Sequence, residues 1–174
     1  MRLYFPEMVA ALDHRKESKR LEGTQFAAAR MERTAPTEVP PVEKALVEAE
    51  GLYASREMDA AREKFFAVLK LTDEKPVHAR VYYGLARIAV LQKNLDLAEQ
   101  LFDKTLELSP DPHTLSWTEV YLGRLYENTD TPQNALEHYK SALAVDGAPP
   151  GAKQAADEGI RKLGLKKKTN GEIK

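Results

Sequence analysis

The chain has 174 residues, with 26 Lys and Arg against 27 Asp and Glu and no cysteine. This length predicts one domain or little more, and the absence of cysteine excludes a disulfide framework, a thiol nucleophile and any Cys-containing zinc site. No segment approaches the roughly 18 apolar residues of a membrane-spanning helix, and the first residues lack the apolar core of a signal peptide, so the composition predicts a soluble, nearly neutral protein.

The first 40 residues are predicted to form a helical arm followed by a linker. Residues 7–12 begin like a helix, and the pattern beyond them fits either one long helix or two helices broken near Gly23 and Thr24. Prolines then mark a linker or a sharp corner; they are Pro36, Pro40 and Pro41. The apolar residues 3–5 at the start favour the interpretation that the chain is a segment of a longer polypeptide.

Three segments of the central region repeat with one spacing. Alanines at matching positions lie 37 residues apart both times: Ala61, Ala98 and Ala135. Within each segment, apolar and small residues recur every three or four positions, which is typical of one buried helical face. Each repeat is therefore predicted to be a pair of antiparallel helices. Small residues mark where the two helices approach closely, and aromatic residues fill the space beside them: Ala49, Ala86 and Gly123, with Phe65, Phe102 and Tyr139.

The repeat resembles the tetratricopeptide repeat (TPR), a 34-residue unit with the pattern W-x-x-L-G-x-x-Y, then A-x-x-x-F-x-x-A, then P. Glu119 takes the place of the aromatic residue in the third repeat, which otherwise matches best, through Leu122, Gly123, Tyr126, Ala135, Tyr139 and Ala142. The resemblance implies an all-α fold, a right-handed α-α superhelix (TPR solenoid) of antiparallel helix pairs. The three units are expected at about residues 42–75, 79–112 and 116–149, in a region that begins at residue 41 and ends near 147.

Residues 148–164 are predicted to form a capping helix, because the end of a helical solenoid exposes an apolar flank. Residues 165–174 are predicted to be a disordered basic tail, since they offer too little apolar surface to offset the entropy of ordering them. Residues 41–160 carry 13 Lys and Arg against 20 Asp and Glu. Such an acidic body repels phosphates, so we expect no nucleic-acid partner.

The sequence contains no arrangement of residues typical of a catalytic centre or a cofactor site. The HExxH, P-loop, GxGxxG and GxSxG motifs are absent. His113 and His138 each stand alone, without the spacing of metal ligands. We therefore predict that the protein is not an enzyme, with no catalytic residue, no metal ligand and no cofactor.

In stacks of this type the first helices line a concave groove that receives a partner segment. Helical geometry places nine residues in this first-helix groove: Glu50, Tyr53, Arg80, Tyr83, Arg87, Trp117, Val120, Arg124 and Glu127. Guanidinium groups beside aromatic rings are typical of binding hot spots and predict a peptide partner with acidic and aromatic or aliphatic side chains. The alternative is internal, with the arginines paired to neighbouring glutamates and the aromatic rings packed against the N-terminal arm.

The resemblance also provides a negative expectation. Some TPR domains hold chaperone C-terminal tails with a carboxylate clamp of Lys, Asn and Arg side chains. The matching positions here carry Leu46, Glu50, Gly84, Trp117 and Tyr121. None of these residues is of the required type, so we expect no binding of chaperone tails.

The main hypothesis is a non-catalytic TPR scaffold that binds a protein or peptide through the first-helix groove. One alternative is an accessory TPR domain of a longer bacterial enzyme or secreted protein whose catalytic part lies elsewhere. A third hypothesis is self-association through residues 1–40. The sequence identifies neither the partner nor the compartment: the cytoplasm is the default, a periplasmic or secreted location is the alternative for a fragment, and no membrane partner is expected.

Overall fold

The computed structural model describes residues 40–129 and 131–171, with side chains up to residue 164. In these residues it contains seven α-helices: α1 (Pro41–Ala54), α2 (Met58–Leu69), α3 (Lys75–Leu91), α4 (Leu95–Leu106), α5 (Pro112–Asn128), α6 (Pro132–Ala144) and α7 (Pro150–Gly171). The helical arm predicted before residue 40 lies outside the described residues.

Prolines and capping side chains define where the described helices begin. Proline occupies one of the first two positions of α1, α3, α5 and α6, where its missing N–H removes no helical hydrogen bond. Asp111 caps α5: its Oδ1 accepts hydrogen bonds from the backbone N–H groups of His113 at 2.9 Å and Thr114 at 3.1 Å. Its Oδ2 accepts a third from the Thr114 hydroxyl at 2.7 Å. These bonds fix the start of α5.

A left-handed residue follows the first helix in each of the first two pairs. Arg56 has φ 68° and Lys93 has φ 60°, and they lie one 37-residue repeat apart. The next backbone N–H in each turn donates back to a carbonyl of the helix, at 2.9 Å after α1 and 3.0 Å after α3. This is the hydrogen bond of a Schellman helix end. It reverses the chain within a few residues and so joins two antiparallel helices.

The helices pack in sequential pairs, α1 with α2, α3 with α4 and α5 with α6. Each second helix also packs against the first helix of the next pair, and neighbouring first helices touch one another. α7 packs against both α6 and α5, the position that the first helix of a further pair would take. The predicted all-α solenoid of antiparallel helix pairs is thus confirmed.

Aromatic side chains of the second helices fill the interfaces between pairs. Phe65 of α2 is 1% exposed and lies against Gly84 of α3, where an added Cβ would come within 2.3 Å of its ring. Phe102 of α4 stacks on Tyr121 of α5, with ring centroids 5.3 Å apart. The sequence predicted the two phenylalanines as space-filling residues, and both are buried.

Tyr139 of α6 lies between two glycines. A Cβ added to Gly123 of α5 would come within 2.6 Å of its ring, and one added to Gly159 of α7 would come within 2.3 Å. The close approach predicted at Gly123 is therefore present, whereas the contact with Gly159 was not predicted. Because backbone lies directly on both sides of the ring, α5, α6 and α7 pack tightly.

α7 is longer than the capping helix predicted for residues 148–164. It begins at Pro150 and continues through Gly171, across seven residues for which the sequence predicts a disordered tail. Leucine and lysine, which make up much of this segment, are good helix formers. Extending a helix that its packed part has already nucleated is much less costly than starting a new one.

Candidate binding groove

A groove of about 880 Å³ is lined by the first helices of the three pairs. α3 contributes the face from Pro76 to Leu91, α1 contributes its C-terminal end, and α5 contributes its start. The lining residues are Glu50, Tyr53, Ala54, Arg56, Pro76, Val77, Arg80, Tyr83, Arg87, Leu91, Asp111, His113 and Thr114. Five of the nine residues predicted for the first-helix groove are thus brought together: Glu50, Tyr53, Arg80, Tyr83 and Arg87.

Arg80 is held by two glutamates of the preceding repeat. Its Nη1 donates to Glu43 Oε2 at 3.0 Å, and its Nη2 donates to Glu50 Oε1 at 3.2 Å. Burial by itself lowers the pKa of Arg80, but the two carboxylates outweigh burial and the pKa is raised. Arg80 therefore follows the internal alternative, since its charge is compensated within the chain.

Arg87 stacks on aromatic rings. Its guanidinium carbon lies 3.9 Å from the ring centroid of Tyr53 and 5.2 Å from that of Tyr83, within the range of a cation–π interaction. Burial by itself lowers the pKa of Arg87, but the neighbouring tyrosine hydroxyls outweigh burial and the pKa is raised, so the group stays cationic. Among the described residues, no ion pair includes Arg87, and its buried Nε has no hydrogen-bond partner.

Tyr83 is a largely buried residue of the groove lining. It is 8% exposed, and its ring lies 6.2 Å from that of Phe102 and 6.1 Å from that of Tyr121, centroid to centroid. Burial raises the pKa of Tyr83, so the hydroxyl stays protonated. Most of this side chain belongs to the core, and its role at the groove is to support Arg87.

The prediction that Val120 faces the groove is wrong. Val120 has no exposed surface and lies in a core cluster with Tyr139, Ala152 and Ala156. The cause is α7, which packs against α5 as the first helix of a further pair would and covers this position. α5 is the last of the three first helices, and Val120 on it is therefore buried under α7.

Three other predicted residues lie outside the groove lining. Trp117 is half-buried with its indole beside α7, where a Cβ added to Gly151 would lie 3.5 Å from the ring. Arg124 is exposed, and its guanidinium carbon lies 5.7 Å from the ring centroid of Tyr121. The Oε1 atom of Glu127 is buried and has no hydrogen-bond partner within the described part of the chain. These residues occupy the rest of α5.

The sequence did not predict the apolar part of the lining. Val77 in the first turn of α3 and Leu91 at its end, which is 42% exposed, both face the groove. Their spacing contained the signal, because Leu91 follows Arg87 by four residues and Val77 precedes Arg80 by three, and such residues share a helical face. The start of α5 had no comparable signal, since its place in the lining depends on how the pairs stack.

A separate polar cluster lies between α4, α5 and α6. His138 Nδ1 lies 2.7 Å from Glu119 Oε2, its ring stacks on that of Tyr126 with centroids 5.2 Å apart, and the Tyr126 hydroxyl donates to Glu99. The hydrogen bond to Glu99, together with burial, raises the pKa of Tyr126 to about 12. The sequence predicted an isolated His138, whereas the acid that replaces the aromatic residue of the repeat pattern is its partner.

Among residues 40–129 and 131–171, no three His, Asp or Glu side chains are grouped so that they could hold a metal ion. None of the described helices combines the length and apolar character that crossing a membrane requires.

Residues 77–148 match the family model described as Tetratricopeptide repeat, which spans nearly all of α3 and the whole of α4, α5 and α6. A similar fold is found in the crystal structure of MamA, with a TM-score of 0.50 and 17% sequence identity; the alignment covers 90% of this chain and 96% of that chain. At this level of identity the likeness concerns the fold. No curated protein shows a significant match to the sequence.

Proposed function

We propose that the chain, whose residues 77–148 match the tetratricopeptide repeat model, is an interaction scaffold that holds an extended segment of a partner protein in the first-helix groove. Repeats of this family typically serve as non-catalytic scaffolds that bind proteins. The observation that carries the proposal is the groove of about 880 Å³ to which all three pairs contribute.

The composition of the lining supports this proposal. A volume of about 880 Å³ is within the usual range of roughly 300–1,000 Å³ for ligand sites, which suits a few side chains of an extended peptide. Half-buried Val77 and exposed Leu91 offer apolar surface, and Arg87 and Tyr53 offer a charged group beside an aromatic ring. Arginine and tyrosine are enriched among the residues that dominate binding energies at protein interfaces.

Two matched tryptophan variants test whether the groove binds peptides. Ala54 and Ala67 are both exposed helical alanines, but Ala54 lines the groove and Ala67 lies on α2, outside the lining. A random peptide library is selected on the wild-type protein, and the recovered sequences are synthesised and titrated by fluorescence anisotropy. We expect A54W to weaken their binding at least tenfold and A67W to leave it unchanged, with identical circular dichroism spectra.

Two results would contradict the groove as the binding site. One is that the selection yields no peptide with reproducible affinity for the wild-type protein. The other is that the selected peptides bind A54W as tightly as they bind A67W.

A further inference from the structure

The charges that line the groove are unequally compensated. Arg80 has two carboxylate partners, and Asp111 is engaged in capping α5. No ion pair among the described residues includes Arg56 or Arg87, although both line the groove. Arg56 and Arg87 therefore present positive charge without an ion-pair partner in the described residues.

This positive charge contrasts with the rest of the solenoid. Residues 41–160 carry seven more acidic than basic residues, 20 against 13. The groove lining carries three arginines against Glu50 and Asp111, and Glu43, which pairs with Arg80, balances the third arginine. An arginine without an ion-pair partner in an acidic body attracts acidic ligands locally while the surrounding surface repels nonspecific ones. Charge complementarity thus favours an acidic side chain in the ligand.

The surroundings of Arg87 specify the contact further. Its guanidinium carbon lies 3.9 Å from the Tyr53 ring centroid, so this side of the group is covered by the chain itself. Its edge nitrogens donate in a planar fork that matches the two oxygens of a carboxylate. The contact with Tyr53 restricts the Arg87 side chain before a ligand arrives, which reduces the entropy lost on binding.

We propose that Arg87 binds the side-chain carboxylate of an Asp or Glu within an extended peptide segment, with aliphatic side chains farther along the segment on its two sides placed against Val77 and Leu91. The inference rests on the proposed function, since it names the chemistry of the segment held by the first-helix groove. The site differs from the carboxylate clamp, because Arg87 is at none of the clamp positions.

The position of Arg87 along α3 favours a side chain over a chain terminus. The lining of α3 runs from Pro76 to Leu91, about 22 Å at 1.5 Å per residue, and Arg87 lies inside this span. A C-terminal carboxylate bound at Arg87 would leave one part of the lining without ligand. A carboxylate within the segment allows residues on both sides of it to contact the groove.

The test uses peptides selected from a random library on the wild-type protein and synthesised with acetylated and amidated ends. We expect them to share one Asp or Glu, whose replacement by Asn or Gln weakens binding to the wild type about 10- to 100-fold, as expected for a charge-assisted bidentate contact. In R87Q the same replacement should change affinity less than twofold. The matched control R124Q removes an exposed arginine outside the lining and should behave as the wild type.

The conservative variant R87K keeps the inference testable should R87Q not fold. Lysine retains the charge and loses the planar fork, so we expect R87K to bind the acidic peptides more weakly than the wild type and still to discriminate Glu from Gln.

Three results would overturn the inference. They are groove-dependent peptides without a shared acidic residue, an equal Glu-to-Gln loss in wild type and R87Q, and binding that requires a free C-terminal carboxylate. The proposed function fails on a different result, namely selected peptides that bind A54W as tightly as A67W. The two failures are therefore distinguishable.

Discussion

Replacing Gly84 with alanine tests the packing that joins the first repeat to the second. Gly84 lies within α3, and a Cβ added there would stand 2.3 Å from Cζ of Phe65 and 2.7 Å from both of its Cε atoms. Ordinary van der Waals contact begins at about 3.4 Å, so the ring must move by about 1 Å. Phe65 is 1% exposed, so it cannot swing into solvent to relieve the clash.

The expected change in the free energy of unfolding follows from two opposing effects. Extra atoms in a well-packed core cost about 1–3 kcal/mol, and we expect about 2–3 here because the ring is enclosed. Alanine within a helix is about 1 kcal/mol more favourable than glycine. We therefore expect G84A to lower the free energy of unfolding by about 1–2 kcal/mol.

Gly51 provides the matched control. It lies in α1 and has nothing within 4 Å of an added Cβ, so G51A retains the helix-propensity gain without a clash and should raise the free energy of unfolding by up to about 1 kcal/mol. The two variants should thus shift the urea midpoint, followed by circular dichroism, in opposite directions. A G84A midpoint at or above that of the wild type would refute the reasoning.

A double-mutant cycle shows whether Phe65 is the cause. F65L removes the ring atoms that the new Cβ would meet, so adding G84A to F65L should be neutral or stabilising. If G84A costs as much in the F65L background as in the wild type, then the clash lies elsewhere and the description of this interface is wrong.

Two electrostatic predictions concern α5. Burial raises the pKa of Asp111, but hydrogen bonds from the first turn of α5 outweigh it and the pKa is lowered. The cap therefore stabilises the protein above the unfolded-state pKa, and this stabilisation is lost as pH falls through the lower folded-state value. D111A should lower the free energy of unfolding by about 1 kcal/mol at neutral pH, and in acid its free energy of unfolding should approach that of the wild type. The control D73A, which replaces an exposed acid, should leave the free energy of unfolding in urea unchanged. A D111A deficit of the same size at every pH would contradict this prediction. E99Q should lower the Tyr126 pKa from about 12 toward 10 in an NMR titration of ring-labelled tyrosine, and an unchanged pKa would mean that burial alone sets it.

The helix pairs could be predicted because each repeat has a small residue at the same position, where two helices approach closely. Ala61, Ala98 and Ala135 have no exposed surface, as the 37-residue spacing indicated. The sequence shows this period because each repeat packs against a neighbour of the same kind. The contact of Gly84 with Phe65 was not predicted, since no other repeat has glycine at its position.

The groove was predicted less well because its residues contact residues of other repeats. Arg80 and Glu43 lie one 37-residue period apart, so an alignment of the repeats could have predicted this ion pair. The stack of Arg87 on Tyr53 follows from rotamers and from the angle between α1 and α3, which sequence spacing does not specify. Val120 was assigned to the groove by its spacing, although the same repeat position is buried in every pair, as Leu46 in α1 and Tyr83 in α3.

The groove also bears on how the solenoid unfolds. α1 and α5 have no Cα atoms within 8 Å of each other in the described part of the chain, yet both line the groove. A solenoid of this kind behaves as a one-dimensional chain in which each repeat is stabilised by its immediate neighbours. A bound segment that touches both helices would add a coupling between next-nearest neighbours. Saturation with such a peptide would then make the three repeats unfold as one cooperative unit instead of fraying from an end.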